Sequence, residues 1–250
     1  MKIEFGTEPL KDYIEEAPDL GDIRAWSYSS LKTFEQCPYR VYIQKVKKIS
    51  EDSGPAAERG TQIHQQAEDY VNGTLGEFPD TLAKFKTQFE QLRELFIEAK
   101  VELEGEWGFT LDWAPTGWLV GDTWARIKLD ALVNEDETSA RVIDYKTGKK
   151  WGNEIPHGQQ ALLYAIATFL RYPHLEHART ELWYLDKGET TIKDFSRNDA
   201  LAFLPGIYKR AITMTTAKDF PPKPSESACR WCSYKNPTED EPAPCRWGVA

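Results

Sequence analysis

No stretch of this sequence stays apolar for the roughly 20 residues that a membrane-crossing helix needs. The opening, Met1 to Asp12, has neither the basic start nor the apolar stretch of a secretory leader, so the chain is expected in the cytoplasm. Cysteine is scarce, with four in 250 residues, and in a reducing compartment these are metal ligands or buried thiols sooner than disulfides. Basic residues are outnumbered, 31 Lys and Arg against 40 Asp and Glu, for a formal charge of -9. That excludes a nonspecific basic coat for nucleic acid, yet it permits a locally basic groove, particularly where divalent cations help neutralise phosphate. No internal repeat is evident. With 40% hydrophobic residues the chain can bury a proper core, and its length suits one large domain with embellishments.

Residues 1 to 25 are acidic and rich in turn formers and read as an irregular lead-in. Ser27 is placed to cap a helix with Leu31 and Phe34 on one face, which delivers Cys37 before Pro38 interrupts it. Residues 50 to 58 read as a loop. Gly60 and Thr61 then open a helix to about Val71, with Thr61 as N-cap and with His64 and Glu68 one turn apart on one face. Phe85, Phe89, Leu92 and Phe96 trace a helical stripe between about Thr81 and Ala99.

The period changes at Val101. Val101 to Phe109, Trp118 to Gly121, Trp124 to Val133 and Ala140 to Lys146 read as successive strands, and Asn134 to Ser139 as a hairpin turn that brings Asp130 across from Asp144. Gly158 to Arg171 is helical and carries Gln160 and Tyr164 one turn apart. Ala178 to Leu185 and Thr190 to Phe195 form a second hairpin, and Ser196 caps a last long helix. The tail from Pro221 is proline-rich and holds Cys229, Cys232 and Cys245. The expected layout is one domain over 1–250: a lead-in to 25, a helical region over 26–100, a core over 101–217 and a cysteine-rich tail over 218–250.

The seven residues from Val142 to Gly148 are the most informative. Side chains alternate along a strand, so Asp144 and Lys146 share one face and Ile143 and Tyr145 the other. Alone, Asp144 and Lys146 suit a surface ion pair as well as a site, and a lone His64 suits a hydrogen-bonded helix residue better than a ligand. The pair becomes a site if the carboxylate binds a cation and the lysine faces a phosphate or a water beside it. Asp130, Asp144 and the Tyr145 carbonyl offer hard oxygen ligands, and Lys146 is suited to orienting a water and offsetting charge in the transition state.

In their order along the chain, Arg-Gly-Thr-Gln-Ile-His at 59–64, Lys-Leu-Asp at 128–130, Ile-Asp-Tyr-Lys-Thr-Gly at 143–148 and Gln-Ala-Leu-Leu-Tyr at 160–164 resemble the RecB-type branch of the PD-(D/E)XK nuclease superfamily. Leu129 stands where the superfamily's name has proline. The resemblance implies an α/β fold: a restriction-endonuclease-like central mixed sheet flanked by helices, with a helical N-terminal region and a cysteine-stapled tail. It implies Asp130, Asp144, Lys146, Gln160 and Tyr164 as catalytic residues, with Gln160 and Tyr164 also positioning substrate. His64, Asp130, Asp144 and Tyr145 would ligate Mg2+ or Mn2+, nitrogen ligation favouring manganese, and Arg59 and Arg126 would contact phosphate. The stretch from Ser27 to Pro38 is similar to family members in which one cysteine before the core and three after it hold an iron-sulfur cluster. By that likeness Cys37, Cys229, Cys232 and Cys245 hold 4Fe-4S, with structural Zn2+ the alternative for four thiolates. The implied activity is metal-dependent DNA hydrolysis, most readily by an exonuclease acting on DNA ends or single strands alongside replication, recombination or repair proteins. A phage or CRISPR-associated origin fits the length, with the host cytoplasm as location if phage-encoded. The rival from another class is a catalytically silent DNA-binding or assembly module that keeps the cluster as a staple.

Overall fold

The computed structural model describes residues 18–51, 54–148, 150, 152–237 and 243–249, so most of the expected lead-in, 1–17, lies outside the described residues. The chain divides into two compact units, one built on Gly54–Pro205 and the other on the described parts of 14–53 and 206–250. Among the described residues no helix is long and apolar enough to cross a membrane.

The first unit is organised on a six-stranded sheet. Its strands are β1 (Val101–Phe109), β2 (Pro115–Thr116), β3 (Ala125–Asn134), β4 (Ser139–Lys146), β5 (His177–Tyr184) and β6 (Glu189–Ser196), in the order β2-β1-β3-β4-β5-β6. Every neighbouring pair is antiparallel except β4 and β5. A parallel pair cannot be joined by a tight turn, and here the connection is a helix, Glu154–Arg171, inside which nine residues are buried. The sheet is therefore mixed and flanked by helices, as the sequence led us to expect.

Two further helices, Pro55–Val71 and Lys86–Ile97, cover the face that carries Ala131, Val133, Ile143 and Tyr145. Trp183 anchors this layer, stacked on Phe85 at 5.2 Å and edge-on to Phe89 at 5.3 Å. The alternation read at Val142–Gly148 thus has a physical outcome. Ile143 and Tyr145 enter the apolar cluster, which leaves Asp144 and Lys146 to face the crossover helix.

The second unit contains helix Tyr28–Gln36, capped by a reciprocal Ser27–Ser30 box, then Pro38–Val41 running into a π turn at Tyr42–Val46. Helices Leu204–Thr215 and Glu226–Cys229 follow late in the chain. Arg210 grips Glu35 through Nε and Nη2 at 2.6 and 2.8 Å, and the Tyr234 hydroxyl donates to the Ile49 carbonyl at 2.8 Å. Residues nearly two hundred positions apart are joined in this way.

Four local expectations differ from what folds. The helix bearing His64 starts at Pro55, six residues before Thr61, because proline at its first position needs no hydrogen-bond acceptor; Thr61 lies inside and donates to the Ala57 carbonyl. Residues 118–121 form a turn, tied by Thr123 Oγ1, which accepts from Val120 N–H and donates to the Gly117 carbonyl. The stripe of phenylalanines begins in a 3-10 turn, Asp80–Phe85, ahead of its α-helix. The last long helix is two, Arg197–Leu201 and Leu204–Thr215, since Pro205 cannot donate to a preceding turn.

Candidate active site

The β3–β4 ladder runs from Asn134 opposite Ala140 to Ala131 opposite Ile143, so the next step sets Asp130 against Asp144. There the Tyr145 N–H donates to Asp130 Oδ2 at 2.5 Å, and a carboxylate joins the two strands where their regular pairing stops. Asp130 thereby occupies the gap between strands, within reach of the helix on the Tyr145 side. His64 Nδ1 lies 3.0 Å from Asp130 Oδ1. His64 is held there because Ile63 and Ala67 beside it are buried in the core. Gly60 permits the close approach, since a Cβ at that position would lie only 3.1 Å from Thr147 Oγ1 at the end of β4.

On the other face, four side chains close a ring. The Tyr164 hydroxyl donates to Asp144 Oδ1 at 2.7 Å and accepts from Gln160 Nε2 at 2.7 Å. Gln160 Oε1 accepts from Lys146 Nζ at 2.8 Å, and that ammonium is 2.6 Å from Asp144 Oδ2. The contact between Lys146 and Asp144 is an ion pair outside hydrogen-bond geometry, for Asp144 Oδ2 is buried and accepts no hydrogen bond. Two buried aspartates side by side, one of them held by an ammonium at 2.6 Å, make an arrangement that a divalent cation would satisfy.

One residue that the sequence reading passed over belongs to this cluster. Glu104 lies opposite Asp130 by the β1–β3 register, and donor atoms of His64, Glu104 and Asp130 all fall within 4.8 Å of one another. Its φ of 49° is left-handed, a conformation that side-chain-bearing residues adopt at a cost of about 1 kcal/mol or more. Lys128 Nζ pairs with the Glu104 carboxylate at 2.7 Å. The alternation of Glu102, Glu104 and Glu106 along one strand was the available signal, but only the pairing with β3 tells which of them meets Asp130. These groups line an open groove of about 450 Å³ that also takes in Gly60, Gln65 and Glu68.

The electrostatics follow from crowding. Burial, and then the neighbouring Asp144 charge, push the Asp130 carboxyl above its ordinary value. Burial alone would push His64 down, but its bond to Asp130 and the carboxylates of Asp130, Asp144 and Glu104 outweigh that, so its pKa is raised. Tyr164 is pushed well above the ordinary phenol value by burial and by Asp144, which keeps its hydroxyl a donor.

The two arginines are otherwise engaged. Arg59 makes a bidentate pair with Asp186 at 2.6 and 3.0 Å, and Arg126 Nε donates to the Trp118 carbonyl at 3.0 Å. The four cysteines are brought together, all four lining one pocket of the second unit with Tyr39, Ile43 and Tyr234. Cys37 sits at the junction of two helices, Cys229 ends another, and Cys245 N–H donates to the Tyr234 carbonyl at 2.9 Å. All four are free thiols, and burial pushes that of Cys232 up.

Three solved structures illustrate what the chain is similar to. The protein SSO0001 aligns at 17% identity, over 94% of this chain and 93% of its own, with a TM-score of 0.49. A candidate exonuclease from Eubacterium rectale aligns at 14% identity, over 81% and 85%, with a TM-score of 0.45. The alkaline exonuclease LHK-Exo from Laribacter hongkongensis aligns at 12% identity, over 76% and 87%, with a TM-score of 0.39. No curated protein matches the sequence. The sequence does match the PD-(D/E)XK nuclease superfamily over residues 25–236, the span that holds the aspartate pair, its lysine and the Gln160–Tyr164 brace, and the chain belongs to that superfamily.

Proposed function

We propose that this protein is a divalent-metal-dependent DNA exonuclease of the RecB type, acting on DNA ends or single strands in replication, recombination or repair. The observation that carries the reading is the buried Asp144 carboxylate, paired with Lys146 at 2.6 Å and set directly opposite Asp130. The donor set fits a hard or borderline cation: His64, Glu104 and Asp130, whose donor atoms converge within 4.8 Å, would hold Mg2+ or Mn2+, with Asp144 and the Tyr145 carbonyl as further oxygens. Such a cation, when bound, neutralises phosphate oxygens and acidifies water. The rest is done by the chain. Asp130 fixes the ring orientation of His64, and Tyr164 and Gln160 hold Asp144 and Lys146 in place through the closed ring. Lys146 Nζ, once freed from Asp144, donates to the attacking water or to a phosphate oxygen and offsets the charge that develops there.

The four-thiol pocket supports the second half of this reading, a 4Fe-4S cluster that ties the early helices to the tail. Sulfur donors suit iron or zinc and not the hard cation of the carboxylate site. Digestion of end-labelled single- and double-stranded DNA with Mg2+ and then Mn2+ tests the activity. Progressive shortening from an end is expected, abolished in Asp144→Asn or Asp130→Asn. Wild-type turnover by either variant at saturating metal would refute the assignment.

A further inference from the structure

The tripeptide Cys-Arg-Trp occurs twice in the tail, at 229–231 and 245–247. In both copies the cysteine lines the thiol pocket while the guanidinium lies over its own neighbour's indole, at 5.4 Å for Arg230 on Trp231 and 4.6 Å for Arg246 on Trp247. Trp231 is 79% exposed although Cys229 and Cys232 on either side are buried, and Trp247 is 36% exposed. A single exposed tryptophan needs no explanation; the same Arg-Trp pair, twice following a cysteine that lines one pocket, does. The aromatic surface continues from Trp247 to Tyr39, edge-on at 4.9 Å, and on to Tyr42, over whose ring Lys47 lies at 5.7 Å.

Charge does not oppose an anionic occupant. Segments 14–53 and 206–250 carry thirteen Lys and Arg against twelve Asp and Glu, whereas the remainder of the chain carries eighteen against twenty-eight. The acidity of the protein is therefore confined to the sheet-bearing unit. Indole faces stack any base, and guanidinium groups beside them meet the phosphates between bases. Buried cysteines on both sides fix the Trp231 backbone, so little ordering remains to be done on binding.

We infer that Trp231 and Trp247, with Arg230 and Arg246, form a stacking platform for a single strand of nucleic acid on the cysteine-bearing unit. This deepens the nuclease reading, on which it rests, by giving the enzyme a strand-binding surface separate in composition from the carboxylate cluster.

The test is fluorescence anisotropy of a fluorescein-labelled oligothymidylate with the full-length chain carrying Asp144→Asn, so that cleavage does not interfere. Trp231→Ala should raise Kd about ten-fold, within the range expected for loss of one stacked base. Trp231→Phe should stay close to the parent, and Trp231→Leu, apolar but without a flat π face, should fall with Ala. Arg230→Ala and Arg246→Ala should each reduce the slope of log K against log salt by about 0.7. Iron or zinc content and melting temperature, measured beside binding, identify any variant that has lost its fold, and the Phe and Leu pair then decides. Equal affinity of the Ala, Leu and parent proteins would overturn the inference. So would an equal loss for fully duplex DNA, or loss of self-association in sedimentation without a change in strand binding. If Trp231→Ala binds normally while Asp144→Asn has lost cleavage, the platform fails and the nuclease reading stands. If Asp144→Asn still cleaves, the nuclease reading fails on its own.

Discussion

Replacing Glu104 by Gln separates a metal ligand from an incidental acid, because the two roles give opposite signs. Glutamine keeps the length and suffers the same left-handed φ of 49°, so the backbone of β1 is unaffected. Without metal, and at a pH where the His64 imidazole is neutral, Glu104 crowds Asp130, their donor atoms lying within 4.8 Å of one another. Two carboxylates that close repel by about 3 kcal/mol at an effective dielectric of 20. Lys128, 2.7 Å from the Glu104 carboxylate and itself half exposed, offsets part of this, and such a pair contributes about 0 to 1 kcal/mol. The metal-free variant should therefore be as stable as the parent or more so. Metal should reverse the order. At a Mn2+ concentration near a hundred times Kd, the parent gains about 2.7 kcal/mol from binding. A ten-fold loss of affinity on removing a charged ligand cuts that gain by about 1.4 kcal/mol. Melting curves in chelator and in Mn2+, with calorimetric titration of Mn2+, give both quantities. An identical Mn2+ increment in the two proteins would refute Glu104 as a ligand, and a metal-free variant less stable by more than about 2 kcal/mol would refute the crowding argument.

Lys146→Ala should lower single-turnover cleavage by roughly two to four orders of magnitude while DNA affinity changes little; unchanged cleavage would reduce the Asp144 contact to a structural ion pair. The raised pKa values of His64 and Asp130 mean that Mn2+ must displace protons, so affinity should fall as pH drops through the His64 value, which lies above the ordinary 6.5. Calorimetry in buffers of different ionisation enthalpy should show that release, and binding without it would contradict the shifts. Cys37→Ser should lower melting temperature and metal content together while leaving the carboxylate site able to bind Mn2+. Anaerobic protein should contain about four irons per chain; one tightly held zinc would replace the cluster by a zinc staple, and neither metal would end the staple reading.

Local pattern alone determined much of this protein. Alternation at Val142–Lys146 separated the buried Ile143 and Tyr145 from Asp144 and Lys146, and the turn between Asn134 and Ser139 set Asp130 against Asp144, because strand periodicity and hairpin register are short-range properties. The i, i+4 spacing of Gln160 and Tyr164 likewise sufficed to predict that they would meet, and they are bonded at 2.7 Å. Tertiary structure decided the rest. Glu104 could not be chosen over Glu102 and Glu106 until β1 had paired with β3, since that register depends on residues about 26 positions away and no local energy distinguishes the three. The commitment of Arg59 to Asp186, 127 residues distant, was equally hidden. Four scattered cysteines were legible as a set, but their meeting in one pocket depends on helices whose packing, not propensity, brings Cys37 beside a tail that begins far along the chain.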